Sequence, residues 1–208
     1  MRWFKPLAVI VVAAMLAVAN NARAQDNETP GALVYSVGSF DIAMNFSFGY
    51  RRTATSSGEA VDDARGTMVC RCVGFFRPRP RDLDYDGREA GRVIVQSLPP
   101  GRYEIDDFGF TGTLIIAGVV WSSATPFSIP FTIHPGEATY IGNFARAPSL
   151  GTPLEPQLGA VGYFVVSDQS ARDLPIARAK VADLPEVRVE VTDVSNLGHP
   201  MLYATVQH

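Results

Sequence analysis

Asp41-Ile42-Ala43-Met44-Asn45-Phe46-Ser47-Phe48-Gly49-Tyr50 alternates without a break: Ile42, Met44, Phe46, Phe48 and Tyr50 are apolar or aromatic, and the residues between them are polar or small. A period of two puts one set of side chains on one face of an extended chain, which predicts a β-strand with one buried face.

Reading outward, Thr53 to Arg65 is polar, contains Ser56-Ser57-Gly58 and Asp62-Asp63, and is expected to be a loop. Thr67 to Phe76 is apolar again. Arg77-Pro78-Arg79-Pro80-Arg81 is an extended, solvated run whose positive field Asp82, Asp84 and Asp86 offset within a Debye length of about 8 Å. Strands are predicted at Arg92 to Leu98 and Arg102 to Phe108, separated by Pro99-Pro100-Gly101. Pro100-Gly101 is expected to centre a type II turn, with Leu98 and Tyr103 directed into the core. Gly112 to Trp121 is a continuous apolar run of strand length, expected as one central strand buried on both faces. Phe127, Ile129, Phe131 and Ile133 alternate with Ser128, Pro130 and Thr132, and Pro130 assigns that strand to an edge.

His134-Pro135-Gly136-Glu137 turns the chain into a strand at Ala138 to Phe144, and Pro148 to Gly159 is expected as a long loop before a strand at Ala160 to Val166. Helical spacing occurs once. Leu174, Ala177, Val181 and Leu184 form a stripe that predicts a helix over 174–183, with Asp173 as N-cap and Pro175 in the first turn. Strands at Val187 to Thr192 and Met201 to Val206 close the chain. About ten short strands with Gly and Pro turns and one late helix point to an all-β fold, an antiparallel β-sandwich of immunoglobulin-like or prealbumin-like type.

At the N-terminus, Arg2 and Lys5 precede an apolar run from Leu7 to Ala19 that closes on Ala22-Arg23-Ala24, the pattern of an export signal cut after Ala24. The run is shorter than the about 20 residues that cross a bilayer as a helix. Gln25, not cysteine, follows the cut, so a lipid anchor is not expected. Residues 25–208 then form a single domain with no transmembrane segment, periplasmic or secreted. Loss of Arg2, Lys5 and Arg23 takes the formal charge from −3 to −6, which argues against nucleic acid as a partner.

Two segments carry a family likeness: Val93 to Ile105, with Leu98-Pro99-Pro100-Gly101-Arg102-Tyr103 at its centre, and Phe127 to Gly142, with Pro135-Gly136-Glu137 and Tyr140-Ile141-Gly142. The first resembles the leucine, Pro-Gly turn, aromatic-x-apolar pattern of transthyretin-like and carboxypeptidase-regulatory-like sandwich domains. The second resembles a strand of bacterial envelope proteins that share such sandwiches. The resemblance implies the fold and an envelope setting, and it implies no catalytic residue.

Residue chemistry adds little that is specific. The histidines, His134, His199 and His208, lie in a turn, before a proline and at the terminus, and no Gly-x-Ser-x-Gly elbow accompanies them. No paired His or Cys spacing suits zinc, and no cofactor motif occurs. Asp82-Leu83-Asp84-Tyr85-Asp86-Gly87 matches the first half of a calcium loop, but the twelfth position is Val93 in place of a bidentate acid. Cys70 and Cys72 lie two apart on one face of a strand, at the outer limit of disulfide reach; a mutual disulfide and two buried thiols are both open. The expectation is a non-enzymatic exported envelope protein, a structural or binding module for an unidentified envelope protein or surface component. The alternative is a hydrolase or calcium-binding protein built on the acidic turn 82–87.

Overall fold

A computed structural model describes residues 28–40, 45–62, 64–71, 82–114, 117–122, 125–148 and 162–204, with backbone alone over 111–122. The export signal, Ile42, Met44, Cys72, the basic run from Arg77 to Arg81, most of the Pro148 to Gly159 stretch and His208 lie outside the described residues. The strands are β1 (Gly31–Ser39), β2 (Asn45–Thr55), β3 (Arg65–Cys70), β4 (Tyr85–Asp86), β5 (Ala90–Leu98) and β6 (Gly101–Leu114). They continue with β7 (Ala117–Ser122), β8 (Ile129–Ile133), β9 (Ala138–Ala147), β10 (Tyr163–Ser167), β11 (Val187–Val189) and β12 (Leu202–Ala204). One α-helix among the described residues, α1 (Ser170–Lys180), links β10 to β11. The larger sheet has the order β12-β10-β9-β1-β5-β4 with β11 also on β9; the smaller has the order β3-β2-β6-β7 with β8 also on β6. The fold is the expected all-β sandwich with one short helix. Most pairings are antiparallel, while β1–β9, β9–β11 and β10–β12 are parallel, so the larger sheet is mixed.

From Asn45 onward the expected alternation is found in β2, where Phe46, Phe48 and Tyr50 are buried and their neighbours are half-buried. Phe164 of β10 enters from the opposite sheet and meets the rings of Phe46, Phe48, Phe108 and Phe110 at centroid distances of 5.0, 4.5, 5.1 and 4.8 Å. Edge-to-face and offset contacts of this kind join the sheets more specifically than aliphatic packing does. Strand β2 also runs to Thr55, so the expected loop over Thr53 to Arg65 is a tighter turn at Ser56-Ser57-Gly58 followed by an Ala54–Ala60 bridge.

The Gly112 to Trp121 run is not one central strand. It divides between the end of β6 and β7, with Gly112 paired to Val119 and Leu114 to Ala117. A continuous apolar run carries no mark of where one strand gives way to the next. Pro130 lies in β8, which pairs only with β6 and is an edge among the described strands, as expected.

The two Pro-Gly pairs behave differently. Gly136 has φ +67°, and the Glu137 amide donates to the His134 carbonyl at 3.3 Å, which suits a type II turn. The expected type II turn at Pro100-Gly101 is not found: β5 ends in one sheet and β6 begins in the other, so the chain crosses between layers. Gly101 has φ +150°, and a Cβ there would lie 2.3 Å from the Ala54 carbonyl oxygen. Leu98 and Tyr103 are nonetheless both buried, and the Tyr103 hydroxyl donates to the Pro99 carbonyl at 2.7 Å.

Helix α1 begins four residues before its expected start and ends three before its expected end. Ala177 is buried, and Leu174 and Leu184 pack with Ile176 against Val34, Val93 and Tyr140. Val181 is already extended at the C-cap and 36% exposed, so the stripe loses one member. Gln169 takes the N-cap position, and Asp173, the expected cap, is buried in the first turn. The reason lies beneath the helix.

Candidate functional site

Strand β1 is central, between β5 and β9, and is covered on both faces. Leu33, Tyr35 and Val37 face the sandwich core, whereas Val34 and Ser36 face α1. A buried serine needs a partner. Ser36 Oγ lies 2.8 Å from Asn143 Oδ1 of β9 and 2.5 Å from Asp173 Oδ2 of α1. The Tyr140 hydroxyl donates to Asp173 Oδ2 at 2.7 Å, and Arg172 Nε donates to Asp173 Oδ1 at 2.7 Å. Both carboxylate oxygens of a fully buried aspartate are thus matched by donors.

The network continues outward. Arg172 stacks on the Tyr85 ring, 3.6 Å from its centroid, and forms a 3.5 Å ion pair with Glu89. Glu89 accepts from the Asn143 amide at 3.1 Å and from the Tyr85 hydroxyl at 3.1 Å. Room for these groups comes from two glycines: a Cβ on Gly38 would meet Glu89 Oε1 at 2.2 Å, and one on Gly91 would meet the Tyr85 oxygen at 2.4 Å. Burial raises the Tyr140 pKa, and the bond to Asp173 raises it further; burial and the Glu89 charge do the same to Tyr85. Desolvation works against the Arg172 charge, but its bond to Asp173 and the charges of Asp173 and Glu89 raise its pKa overall. Both tyrosines therefore stay neutral donors, and Arg172 stays charged. Chemically this is a closed clasp: Ser36 has no exposed surface, and the side chains of Glu89 and Arg172, 12% and 27% exposed, form its outer end.

The acidic turn is braced in another way. Asp82 pairs with Arg92. Asp84 accepts the Val93 amide at 2.7 Å and pairs with Lys180 at the end of α1. Asp86 is exposed in β4. Among the described residues no three His, Cys, Asp or Glu side chains are gathered as a metal would need; Asp82 and Asp84 are engaged by cations and an amide. Cys70 closes β3, buried and opposite Phe46, and its sulfur is disulfide-bonded; Cys72 lies outside the described residues. His134 lies 3.5 Å from Glu190, and His199 is buried with its ring against Phe108 and Phe127. Desolvation lowers the His199 pKa.

A cleft of about 340 Å³ opens where β10 and β11 part, lined by residues of β10, of β12 and of the segment from Val189 to Asp193. Of these residues the sequence marked none. The sequence marks Asp173 only as an N-cap and Glu89 not at all, and no spacing rule links Ser36, Glu89, Asn143 and Asp173 across the chain.

No family model matches the chain, and no curated protein matches it. Among solved structures it is similar to a leucine-rich repeat protein from Bacteroides thetaiotaomicron VPI-5482, at 11% identity and a TM-score of 0.32. That likeness covers 56% of this chain and 14% of the other, so the chain spans about a seventh of that protein's length. At that level it carries no argument about fold or function.

Proposed function

We propose that this is an exported envelope protein, periplasmic or secreted, whose transthyretin-like sandwich is a non-enzymatic structural or binding module for another envelope component. The observation that carries the reading is the closed clasp. The buried contact of a serine hydroxyl with a carboxylate, Ser36 with Asp173, is spent on fastening α1 to the larger sheet, with both residues sealed from solvent, whereas Ser56 and Ser128 meet Glu28 and Glu104 at exposed or half-buried positions. Burial of Leu98 and Tyr103 on either side of Pro99-Pro100 supports the sandwich resemblance, and the apolar run before Ala24 supports export. Among the described residues no helix is long and apolar enough to cross a membrane.

Expression of the full chain in a bacterial host, followed by fractionation and N-terminal sequencing, tests the export half; a mature chain beginning at Gln25 is expected. A panel of ester, peptide and glycoside substrates tests the other half. Turnover by the wild type that disappears in a folded Ser36→Ala or Asp173→Asn protein overturns the non-enzymatic reading.

A further inference from the structure

Strand β9 changes neighbours partway along one edge. Its first half pairs with β11 as far as Tyr140, and its second half pairs with β10 from Asn143 onward. Between them lies a bulge, because Val34 pairs with Tyr140 and Ser36 with Asn143, leaving Ile141 and Gly142 opposite Tyr35 alone. Gly142 has φ +116°, and a Cβ there would stand 3.2 Å from both the Ser167 carbonyl oxygen and a Val191 methyl. Since β10 runs antiparallel to β9 and β11 runs parallel to it, both strands bring their C-terminal ends to this bulge and separate there. The cleft of about 340 Å³ is the space between them. Its size falls at the small end of ligand sites.

The walls are apolar, formed by Val166, Val189, Val191 and Ala204, and Val189 remains 45% exposed at the lip. The rim is acidic, with Asp168 after β10 and Asp193 after β11. Each carboxylate is aimed by a backbone cap: Asp168 accepts the Ser170 amide at 2.8 Å, and Asp193 accepts the Ser195 amide at 2.9 Å. Among the described residues no cation pairs with either of them. The nearby Arg188 sits on the opposite face of β11 from Val189 and is engaged by Glu137 at 2.9 Å and Glu190 at 3.7 Å. Donation from Ser195 holds Asp193 below the ordinary carboxylate range.

We propose that this cleft binds an ammonium group carried on an aliphatic stem, such as a lysine side chain or a small alkylamine, with the stem on the valines and the head between Asp168 and Asp193. A bare metal ion fits poorly, since calcium takes 6–8 oxygen ligands and half the lining is hydrocarbon. An anion would meet two uncompensated carboxylates, and a purely apolar ligand would strip water from them without return. Only a ligand with both parts uses both surfaces. Ser167 and Thr192 complete the lining, the Thr192 hydroxyl donating to the Pro130 carbonyl at 3.0 Å and keeping its lone pairs as acceptors. The assignment rests on the binding-module reading and names its ligand class.

The test is an NMR titration of the exported full chain with Nα-acetyl-lysine methylamide, with the norleucine analogue as the uncharged control. Saturable shifts at Val189, Val191 and Ala204 are expected with the lysine probe, at least tenfold weaker with norleucine and diminished by salt. Asp168→Asn and Asp193→Asn keep an acceptor for each cap and should each weaken lysine binding several-fold. Val189→Lys, at an exposed position, places a tethered ammonium at the lip and should block the probe. Equal affinity for norleucine, the absence of saturable shifts at these residues, or binding unchanged in both Asn variants overturns the proposal. A silent cleft in a folded, exported chain removes this ligand alone; substrate turnover lost on changing Ser36 or Asp173 is what removes the module reading.

Discussion

Gly38 of β1 and Gly91 of β5 face each other in register, and the two missing side chains make the space that the Tyr85 hydroxyl and the Glu89 carboxylate occupy. The two positions are not equivalent. A Cβ on Gly91 would strike the Val37 carbonyl oxygen at 2.3 Å, which is backbone, whereas one on Gly38 would strike the end of the Glu89 side chain. Gly91→Ala should destabilise by about 1–3 kcal/mol, as overpacking does, and Gly38→Ala by less, because a side-chain end can move. Urea unfolding of the two variants checks the order; equal midpoints would show that the glycine pair is not what shapes the clasp.

Asp173 anchors α1 to the larger sheet through Ser36 and Tyr140, and its other oxygen holds Arg172 of the same helix. Asp173→Ala leaves the buried donors without an acceptor and should cost about 3–5 kcal/mol. The loss should concentrate in the helix. Hydrogen exchange should show the amides of α1 losing protection by more than those of β2, and uniform loss across both would place Asp173 in the global core instead.

His199 is held neutral by burial, its Nδ1 accepting the Met201 amide at 3.1 Å. Its folded pKa lies below the ordinary 6.5, so the unfolded chain binds the proton more readily. Stability from this residue is therefore complete above pH 6.5 and is lost as pH falls through 6.5 toward the folded pKa. An NMR titration of the imidazole should give a midpoint below 6.5; a midpoint at or above it would mean the ring is solvated.

Gly101 starts β6 with φ +150° and with the Ala54 carbonyl where a Cβ would go. Gly101→Val should lower stability by about 1–3 kcal/mol or more, from backbone strain and collision together. Arg52, which donates to the Pro100 carbonyl, should lose that contact as the strand start shifts. An unfolding midpoint equal to the wild type would show that the crossover tolerates a branched residue and that the close approach to Ala54 is relieved at no cost.

Half-buried strands were legible from the sequence because their pattern is local: β2 and β8 alternate residue by residue, and Pro130 fits its edge. Pro135-Gly136 was legible for the same reason, since a turn is decided by its own residues. Strand β1 went unread, because a strand covered on both faces shows no alternation, and Gly31 to Ser39 mixes Gly, Ser and apolar residues in no period. The division of Gly112 to Trp121 between two paired strands, and the passage of Pro99-Pro100 between sheets, depend on which partner strands lie alongside. The clasp and the cleft belong wholly to the tertiary level. Ser36, Glu89, Asn143 and Asp173 meet only after β1, β9 and α1 are packed, and the cleft exists only where β10 and β11 reach the Gly142 bulge from opposite ends of the same edge. Periodicity records which side of an element is buried; it holds no information about which distant polar group waits there.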